Sequence, residues 1–115
     1  MKIYRVLLLG MAGVLAGCKA GAPPKPLDQL NAQEAHGHAV YQARCVICHS
    51  DRTDVKLKGP PMLGVFKKPY LPSGAAATNE RVSATVLHGR NMMPAMGNVI
   101  NQQELDDLLA YLHTL

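Results

Sequence analysis

The sequence predicts an all-α domain with long loops, and three observations support that prediction. Two capping boxes, each an asparagine followed three residues later by a glutamate, stand at Asn31 and Glu34 and again at Asn101 and Glu104. Apolar side chains recur at helical spacing after both boxes, and no stretch shows the strict alternation of a half-buried strand. Residues 50–73 are rich in Pro, Gly and Lys, a composition typical of a loop.

The first predicted helix begins after Asn31 and runs to about Ala43, with Val40 and Tyr41 on its buried side. Gly37 lies in the middle of this helix, where a glycine costs stability. We therefore expect another helix to pass close to the backbone at Gly37.

Two further helices are predicted in the second half of the chain. One spans residues 79–88, because Val82, Val86 and Leu87 recur at helical spacing and Gly89 is a typical stop. The last begins after the second capping box. It has a strong apolar stripe, formed by Leu105, Leu108, Leu109 and Leu112, with Tyr111 beside it.

The N-terminal segment has the layout of an export signal, which we expect to cover residues 1–17. Lys2 and Arg5 precede an unbroken apolar run at 6–16, and small residues follow it. The run is too short to cross a membrane, since a spanning helix needs about 20 apolar residues. The chain is therefore expected to leave the cytoplasm.

Residues 15–18, Leu-Ala-Gly-Cys, match a bacterial lipobox, so Cys18 is predicted to be the lipid-modified first residue of the mature chain. The alternative is an ordinary signal cut after Ala22, at an A-x-A pattern. Residues 18–30 read as a Pro-rich tether that could extend about 45 Å, at roughly 3.3 Å per residue. The prediction is a domain over 31–115 anchored on the periplasmic side of a bacterial membrane, inner or outer.

Composition indicates that the domain needs help to build a core. The chain has no Trp and one Phe, and small domains with weak cores usually need a staple, a metal or a cofactor. The formal charge of +4 includes Lys2 and Arg5, which are lost when the predicted signal is cleaved. The net positive charge that remains is small, and no basic run is interleaved with aromatic residues. Both observations argue against nucleic-acid binding.

The pentapeptide at 45–49, Cys-Val-Ile-Cys-His, carries the haem-attachment signature. Two thiols must add to the vinyl groups on one edge of a flat macrocycle, and residues three apart on a helical turn project to the same side. His49 then comes over the macrocycle, where histidine is the usual proximal ligand of the iron. The alternatives are a thioredoxin-like redox pair, half of a zinc site, or an ordinary disulfide between Cys45 and Cys48.

The chain resembles a class I cytochrome c over roughly residues 33 to 115. Five elements of that family follow in order. Four of these are separate segments, namely the pattern Gly37-x-x-x-Tyr41-x-x-x-Cys45-x-x-Cys48-His49, the segment Gly59-Pro60-Pro61-Met62-Leu63-Gly64, the loop His88 to Gly97, and Leu108 to Leu112, and the fifth is the Met93-Pro94 step within the loop. The resemblance implies the cytochrome c fold, with three to five helices and long loops wrapped around one covalently bound haem c.

The resemblance also implies roles for individual residues. Gly37 and Tyr41 should meet Leu108 and Tyr111 where the first and last helices cross. The carbonyl group of Pro60 should accept the second ring N–H of His49, as partners of metal-bound histidines commonly do. 

Met93 is the expected second iron ligand. It directly precedes Pro94, which biases its backbone away from helix, and the Met-Pro step of the family places the ligand there. Met92 is the main competitor, Met96 is expected to fill the core, and Met62 is expected on the His49 side.

The expected function is single-electron transfer, without catalysis, by a monomer. Its partners would be a dehydrogenase, an oxidase or another cytochrome, met through a small and short-lived interface. The alternative is a haem protein whose sixth position is open or weakly held and binds or processes a small ligand, with His88 as a minor alternative ligand.

Two expectations concern the surroundings of the haem. Tyr70, Arg81 and Arg90 are polar candidates near its propionates, although an ordinary surface role is the preferred interpretation of each. His36, His38 and His113 are expected on exposed helix faces. Much of the apolar surface is expected to pack mainly on the macrocycle, so the fold should require haem: Val40, Met62, Leu63, Val65, Phe66 and Leu105.

Overall fold

A computed structural model describes residues 21–115 and contains three α-helices in that range. A short 3₁₀ turn at Leu27–Gln29 precedes α1 (Ala32–Arg44), α2 (Asn79–His88) and α3 (Gln102–Leu112). Within residues 21–115 the only β-type pairings are two isolated bridges, and no helix there is long and apolar enough to cross a membrane. The fold is all-α, as predicted. The predicted signal at 1–17 and Cys18 lie outside the described residues.

Both capping boxes form as predicted. The side chain of Asn31 accepts a hydrogen bond of 2.8 Å from the Glu34 backbone, and Glu34 accepts one of 2.8 Å from the Asn31 backbone. Asn101 and Glu104 make the same reciprocal pair at 2.9 Å. These bonds satisfy N–H groups that a helix start leaves without a partner, and so they fix where α1 and α3 begin.

The first and last helices cross in close contact at Gly37. A Cβ atom on Gly37 would lie 1.8 Å from the backbone oxygen of Asp107 and 2.9 Å from the Cβ atom of Tyr111. No side chain fits there, which confirms the close approach predicted from the glycine. One turn further on, the Tyr41 and Tyr111 rings meet edge to face with centroids 5.7 Å apart, and Leu108 is buried in the same core.

The core gathers around this crossing and extends to α2. Its buried apolar members are Val40, Tyr41, Val65, Val82, Val86, Ile100, Leu105, Leu108, Leu109, Tyr111, Leu112 and Leu115. This differs from the prediction that Val40, Val65 and Leu105 pack mainly against the macrocycle, because protein side chains already bury them. Met62 and Phe66 lie at the edge of the core and are partly exposed.

The segment before α1 lies along the domain from Ala22 onward. The backbone N–H of Lys25 donates to the Thr114 carbonyl group at 2.8 Å, and Arg52 donates to the Lys25 carbonyl group at 2.9 Å. Lys67 donates to the Ala22 carbonyl group at 3.0 Å. Residues 18–30 stay predicted as a Pro-rich tether, and two of its described residues, Ala22 and Lys25, are hydrogen-bonded to the domain in a way that no sequence pattern indicates.

All three histidines that were expected on exposed faces contact other parts of the domain. Nδ1 of His36 lies 2.5 Å from Oδ2 of Asp107, whose side chain is buried. The ring of His38 is half-buried, with its centroid 4.9 Å from that of Tyr111, so the expectation is wrong for this residue. His113 is exposed, but its ring stacks on Phe66 at 3.9 Å.

Candidate haem-binding site

Residues 45–49 form a hydrogen-bonded turn at the end of α1. The backbone N–H groups of Cys48 and His49 both donate to the carbonyl group of Cys45, at 3.1 and 3.0 Å. Cys45 is itself fixed by a bond of 2.8 Å from its N–H to the carbonyl group of Tyr41. The helix therefore delivers both cysteines and the histidine in one compact turn.

The two thiols are free and partly buried, and no disulfide joins them. Burial raises the pKa of Cys45 to about 11, with a smaller contribution from the neighbouring Cys48. Cys45 also packs against the core, so one attachment point is anchored to the helix crossing.

The imidazole ring of His49 is oriented by Pro60. Nδ1 lies 2.7 Å from the Pro60 carbonyl oxygen, the contact that the family resemblance implied. Because a carbonyl group can only accept, Nδ1 carries the proton and Nε2 keeps its lone pair for a metal. A Cβ atom on Gly59 would lie 2.3 Å from Cε1 of this ring, so Gly59 leaves the space that His49 occupies.

The backbone around His49 is tied down on both sides. The hydroxyl group of Tyr41 donates to the His49 carbonyl group at 2.6 Å, and the N–H of Gly59 donates to the Cys48 carbonyl group at 2.8 Å. Burial raises the pKa of Tyr41, and the negative charge of Asp51 adds to the effect, so the hydroxyl group remains a donor. These bonds couple the helix crossing to the histidine through Tyr41.

The methionine loop starts at Gly89, where α2 ends with φ at 74°. A Cβ atom on Gly89 would lie 2.6 Å from the backbone oxygen of Met93. Arg90 and Met93 exchange two backbone hydrogen bonds of 3.0 and 2.9 Å, which close a four-residue turn. This turn fixes the backbone at Met93 just before Pro94.

The three methionines of this loop have different surroundings. Met92 is 86% exposed, whereas Met93 is half-buried and packs against the core. Met96 also packs against the core, and its backbone N–H donates to the Val86 carbonyl group at 2.8 Å. Met62, on the Pro60 side, is half-buried as well.

The residues that follow Pro60 in the chain line an open, mainly apolar cleft of about 200 Å³. Its lining consists of Pro61, Met62, Val65, Lys68, Tyr70, Leu71 and Pro72. Nothing in the sequence distinguishes Lys68 from the neighbouring lysines, so its place in this cleft was not predicted. Among the other polar candidates, Arg81, Arg90 and His88 are exposed and do not line this cleft.

The donor set fits a covalently held haem. Two free thiols stand three residues apart in one turn, next to an imidazole whose Nδ1 is already committed to Pro60. Partly buried apolar side chains, among them Met62, Leu71 and Met93, are available to contact a flat macrocycle. Among the described residues, no cluster of three or more histidine, cysteine or acidic side chains offers a separate metal site.

Known proteins resemble this chain over most of its length. The family described as Cytochrome C oxidase, cbb3-type, subunit III, matches residues 32–112. Cytochrome c6 from Nostoc sp. is 26% identical over 110 residues, which cover 96% of this chain and 89% of that protein. Cytochrome c6 from Thermosynechococcus vestitus is 27% identical over 82 residues, 71% of this chain and 70% of the relative.

A solved structure shows the same fold. Cytochrome c6 from the diatom Phaeodactylum tricornutum superimposes with a TM-score of 0.55 at 25% sequence identity. The match covers 69% of this chain and 88% of the diatom protein. The architecture is therefore the cytochrome c fold predicted from the order of motifs.

Proposed function

The chain belongs to the family described as cytochrome c oxidase, cbb3-type, subunit III, and we propose that it carries electrons with an iron held between His49 and Met93. It is a monohaem c-type cytochrome, an electron-transfer protein and not an enzyme, with one haem c bonded through Cys45 and Cys48. The bound haem supplies reversible one-electron chemistry between ferrous and ferric iron.

The observation that carries this proposal is the 2.7 Å contact between Nδ1 of His49 and the Pro60 carbonyl oxygen. It fixes the tautomer in which Nε2 is the metal ligand, and it makes the imidazole a better electron donor. The attachment turn and Gly59 hold the ring in one orientation, so little rearrangement is needed when the iron changes charge.

Met93 is proposed as the second ligand because it combines a fixed backbone with a partly buried side chain. The turn closed by Arg90 and the following Pro94 restrict its backbone, so less entropy is lost when its sulfur binds. Met92 lacks this burial, since its side chain is almost entirely in solvent. A thioether ligand favours ferrous iron and raises the midpoint potential.

Carbon monoxide tests whether both axial positions are held. Ferrous protein with His49 and Met93 on the iron should show little or no spectral change under carbon monoxide at neutral pH. Rapid, stoichiometric formation of a carbonyl complex by the unmodified protein would instead support the alternative, an open position that binds a small ligand.

We further propose that Cys18 carries a lipid anchor on the periplasmic side of a bacterial membrane. The Lys67 ammonium group donates to the Ala22 carbonyl group. A cut after Ala22 would remove this contact, whereas a chain beginning at Cys18 retains it. From Cys18 to Ala22 the chain could reach about 13 Å, at roughly 3.3 Å per residue. The haem domain would then stay close to the membrane surface rather than range over 45 Å.

Intact-mass measurement of protein purified from native membranes tests the anchor. The expected result is an acylated N-terminal Cys18, and Cys18→Ala should release the protein from the membrane fraction with its haem in place. An unmodified N-terminus at Pro23 would contradict the proposal. Either result leaves the electron-carrier function untouched, because haem attachment depends on Cys45 and Cys48. Redox partners copurifying with the anchored protein would identify which dehydrogenase, oxidase or cytochrome it serves.

A further inference from the structure

The cleft beside Pro60 has apolar walls and a polar rim. Pro61, Met62, Val65 and Leu71 provide the walls, and Lys68 and Tyr70 lie among the lining residues. Its chain position matters, because Pro61 and Met62 directly follow the carbonyl group that orients His49.

A closed turn holds the rim in place. The N–H of Leu71 donates to the Ala75 carbonyl group at 2.8 Å, and the N–H of Gly74 donates to the Leu71 carbonyl group at 2.8 Å. Gly74 adopts a φ of 83°, which favours glycine and lets the chain reverse. Tyr70 is bridged to Ala76 across this turn, so its backbone is fixed although its side chain is 64% exposed.

The two rim side chains have unused polar groups. Within residues 21–115, neither the ammonium group of Lys68 nor the hydroxyl group of Tyr70 makes a hydrogen bond or an ion pair to protein. The preceding Lys67 differs, because its ammonium group donates to the Ala22 carbonyl group. Lys68 and Tyr70 are therefore free to serve a ligand that reaches the cleft.

A haem has the matching shape and charge. It is a flat apolar ring with two propionate carboxylates on one edge, so its site needs apolar walls and donors at the rim. A hydrogen bond from a charged donor to a carboxylate is roughly twice as strong as a neutral one. Lys68 offers such a donor, and Tyr70 offers a neutral one nearby.

We propose that Lys68 and Tyr70 bind one propionate of the haem whose iron His49 holds. This inference rests on the proposed function, since it places the macrocycle edge at the cleft that follows Pro60. Lys68 and Tyr70 are better placed than Arg81 and Arg90 to bind the propionate. All four side chains are exposed, but the arginines do not line the cleft, and the bridge at Arg90 involves only its backbone.

The midpoint potential tests the role of Lys68. Ferric haem carries one more positive charge than ferrous haem, so a cation bound to the propionate favours the ferrous form. Lys68→Gln should shift the oxidation equilibrium about two- to fivefold toward ferric protein, as expected for a partly exposed ion pair. The matched control is Lys67→Gln, which removes the same charge one residue away and should shift the equilibrium much less.

Infrared difference spectra of oxidised minus reduced holoprotein test the contact itself. The propionate carboxylate band should move in Lys68→Gln and in Tyr70→Phe, and it should stay in place in Lys67→Gln. The proposal is overturned by an unmoved band in both variants, by equal potentials in the two lysine variants, or by an effect confined to Arg90→Gln. The weak iron–thioether band of the ferric variants separates this outcome from the proposed function. Its retention shows that a methionine still binds the iron, whatever binds the propionate.

Discussion

The carboxylate of Asp107 on α3 lies 2.5 Å from Nδ1 of His36 on α1, at the point where the two helices cross. Gln103 donates a second hydrogen bond of 2.8 Å to the other carboxylate oxygen. The bond from His36, followed by that from Gln103, holds the pKa of the Asp107 carboxyl group below its usual range. A buried carboxylate is thus kept charged inside the main helix contact.

This pair predicts how stability depends on pH. Because the pKa of Asp107 is lower in the folded than in the unfolded state, its contribution is complete above the ordinary carboxyl pKa, near 3.8. It is lost as the pH falls through the lower pKa of the folded state. Asp107→Asn should therefore be less stable at neutral pH and lose less further stability on acidification. Denaturant titrations of the holoprotein between pH 7 and pH 2 measure this, and an unchanged acid slope would contradict it.

Gly37→Ala should destabilise the holoprotein by about 3 kcal/mol, as overpacked sites do. The added methyl group would overlap the Asp107 backbone, which cannot move without separating the helices. Ala35→Ser on the same helix is the control, since it adds one atom at an exposed position and should cost under about 0.5 kcal/mol. Chemical unfolding followed by circular dichroism gives both values. Equal stability of the two variants would argue against the close crossing.

Gly59→Ala should reduce haem loading and disturb the ferric spectrum, because the new Cβ atom would overlap the His49 ring. Gly64→Ala is the control for backbone effects. Its φ of 66° makes alanine strained, but the contacts of its Cβ are ordinary and none is with His49. The haem content of each purified protein, measured by mass spectrometry, provides the comparison. Full loading of Gly59→Ala with an unaltered spectrum would show that the ring has room to move.

The local features of the fold could be predicted from the sequence. An N-cap asparagine and its glutamate lie three residues apart, so the sequence alone predicts where α1 and α3 begin. Gly89 likewise predicts where α2 ends. The bond between the Lys25 N–H and the Thr114 carbonyl group could not be foreseen. It joins backbone groups far apart in the chain, and such a bond does not depend on which side chains stand at the two positions.

The candidate site also contains some residues that the sequence predicts and others that only the fold brings together. Cys45, Cys48 and His49 are recognisable because their chemistry demands a fixed spacing. Lys68 acquires significance only when the turn after Pro69 brings it to the cleft with Met62. The contact between His36 and Asp107 likewise depends on the helix crossing angle, which residue spacing within one helix cannot give.

Replacing Cys45 and Cys48 together by alanine should leave a chain without cooperative tertiary structure. α1 and α3 pack on each other, but the long segment between them contains only α2 and would lose its anchorage to the macrocycle. Thermal unfolding monitored by circular dichroism should show a broad, shallow transition and reduced helix content. A sharp transition with the helix content of the holoprotein would mean that the protein core alone is sufficient. In that case the buried Val40 and Leu105 would carry more of the stability than the haem does.

The identity of the second iron ligand is the central claim, and separate replacement of Met92, Met93 and Met96 by leucine tests it most directly. Leucine keeps the bulk of methionine and removes the sulfur. Only Met93→Leu should abolish the weak iron–thioether absorption band of the ferric protein and open the ferrous iron to carbon monoxide. Met92→Leu and Met96→Leu should keep the band, with Met96→Leu at most slightly less stable. Loss of the band in Met92→Leu, together with its retention in Met93→Leu, would contradict the account.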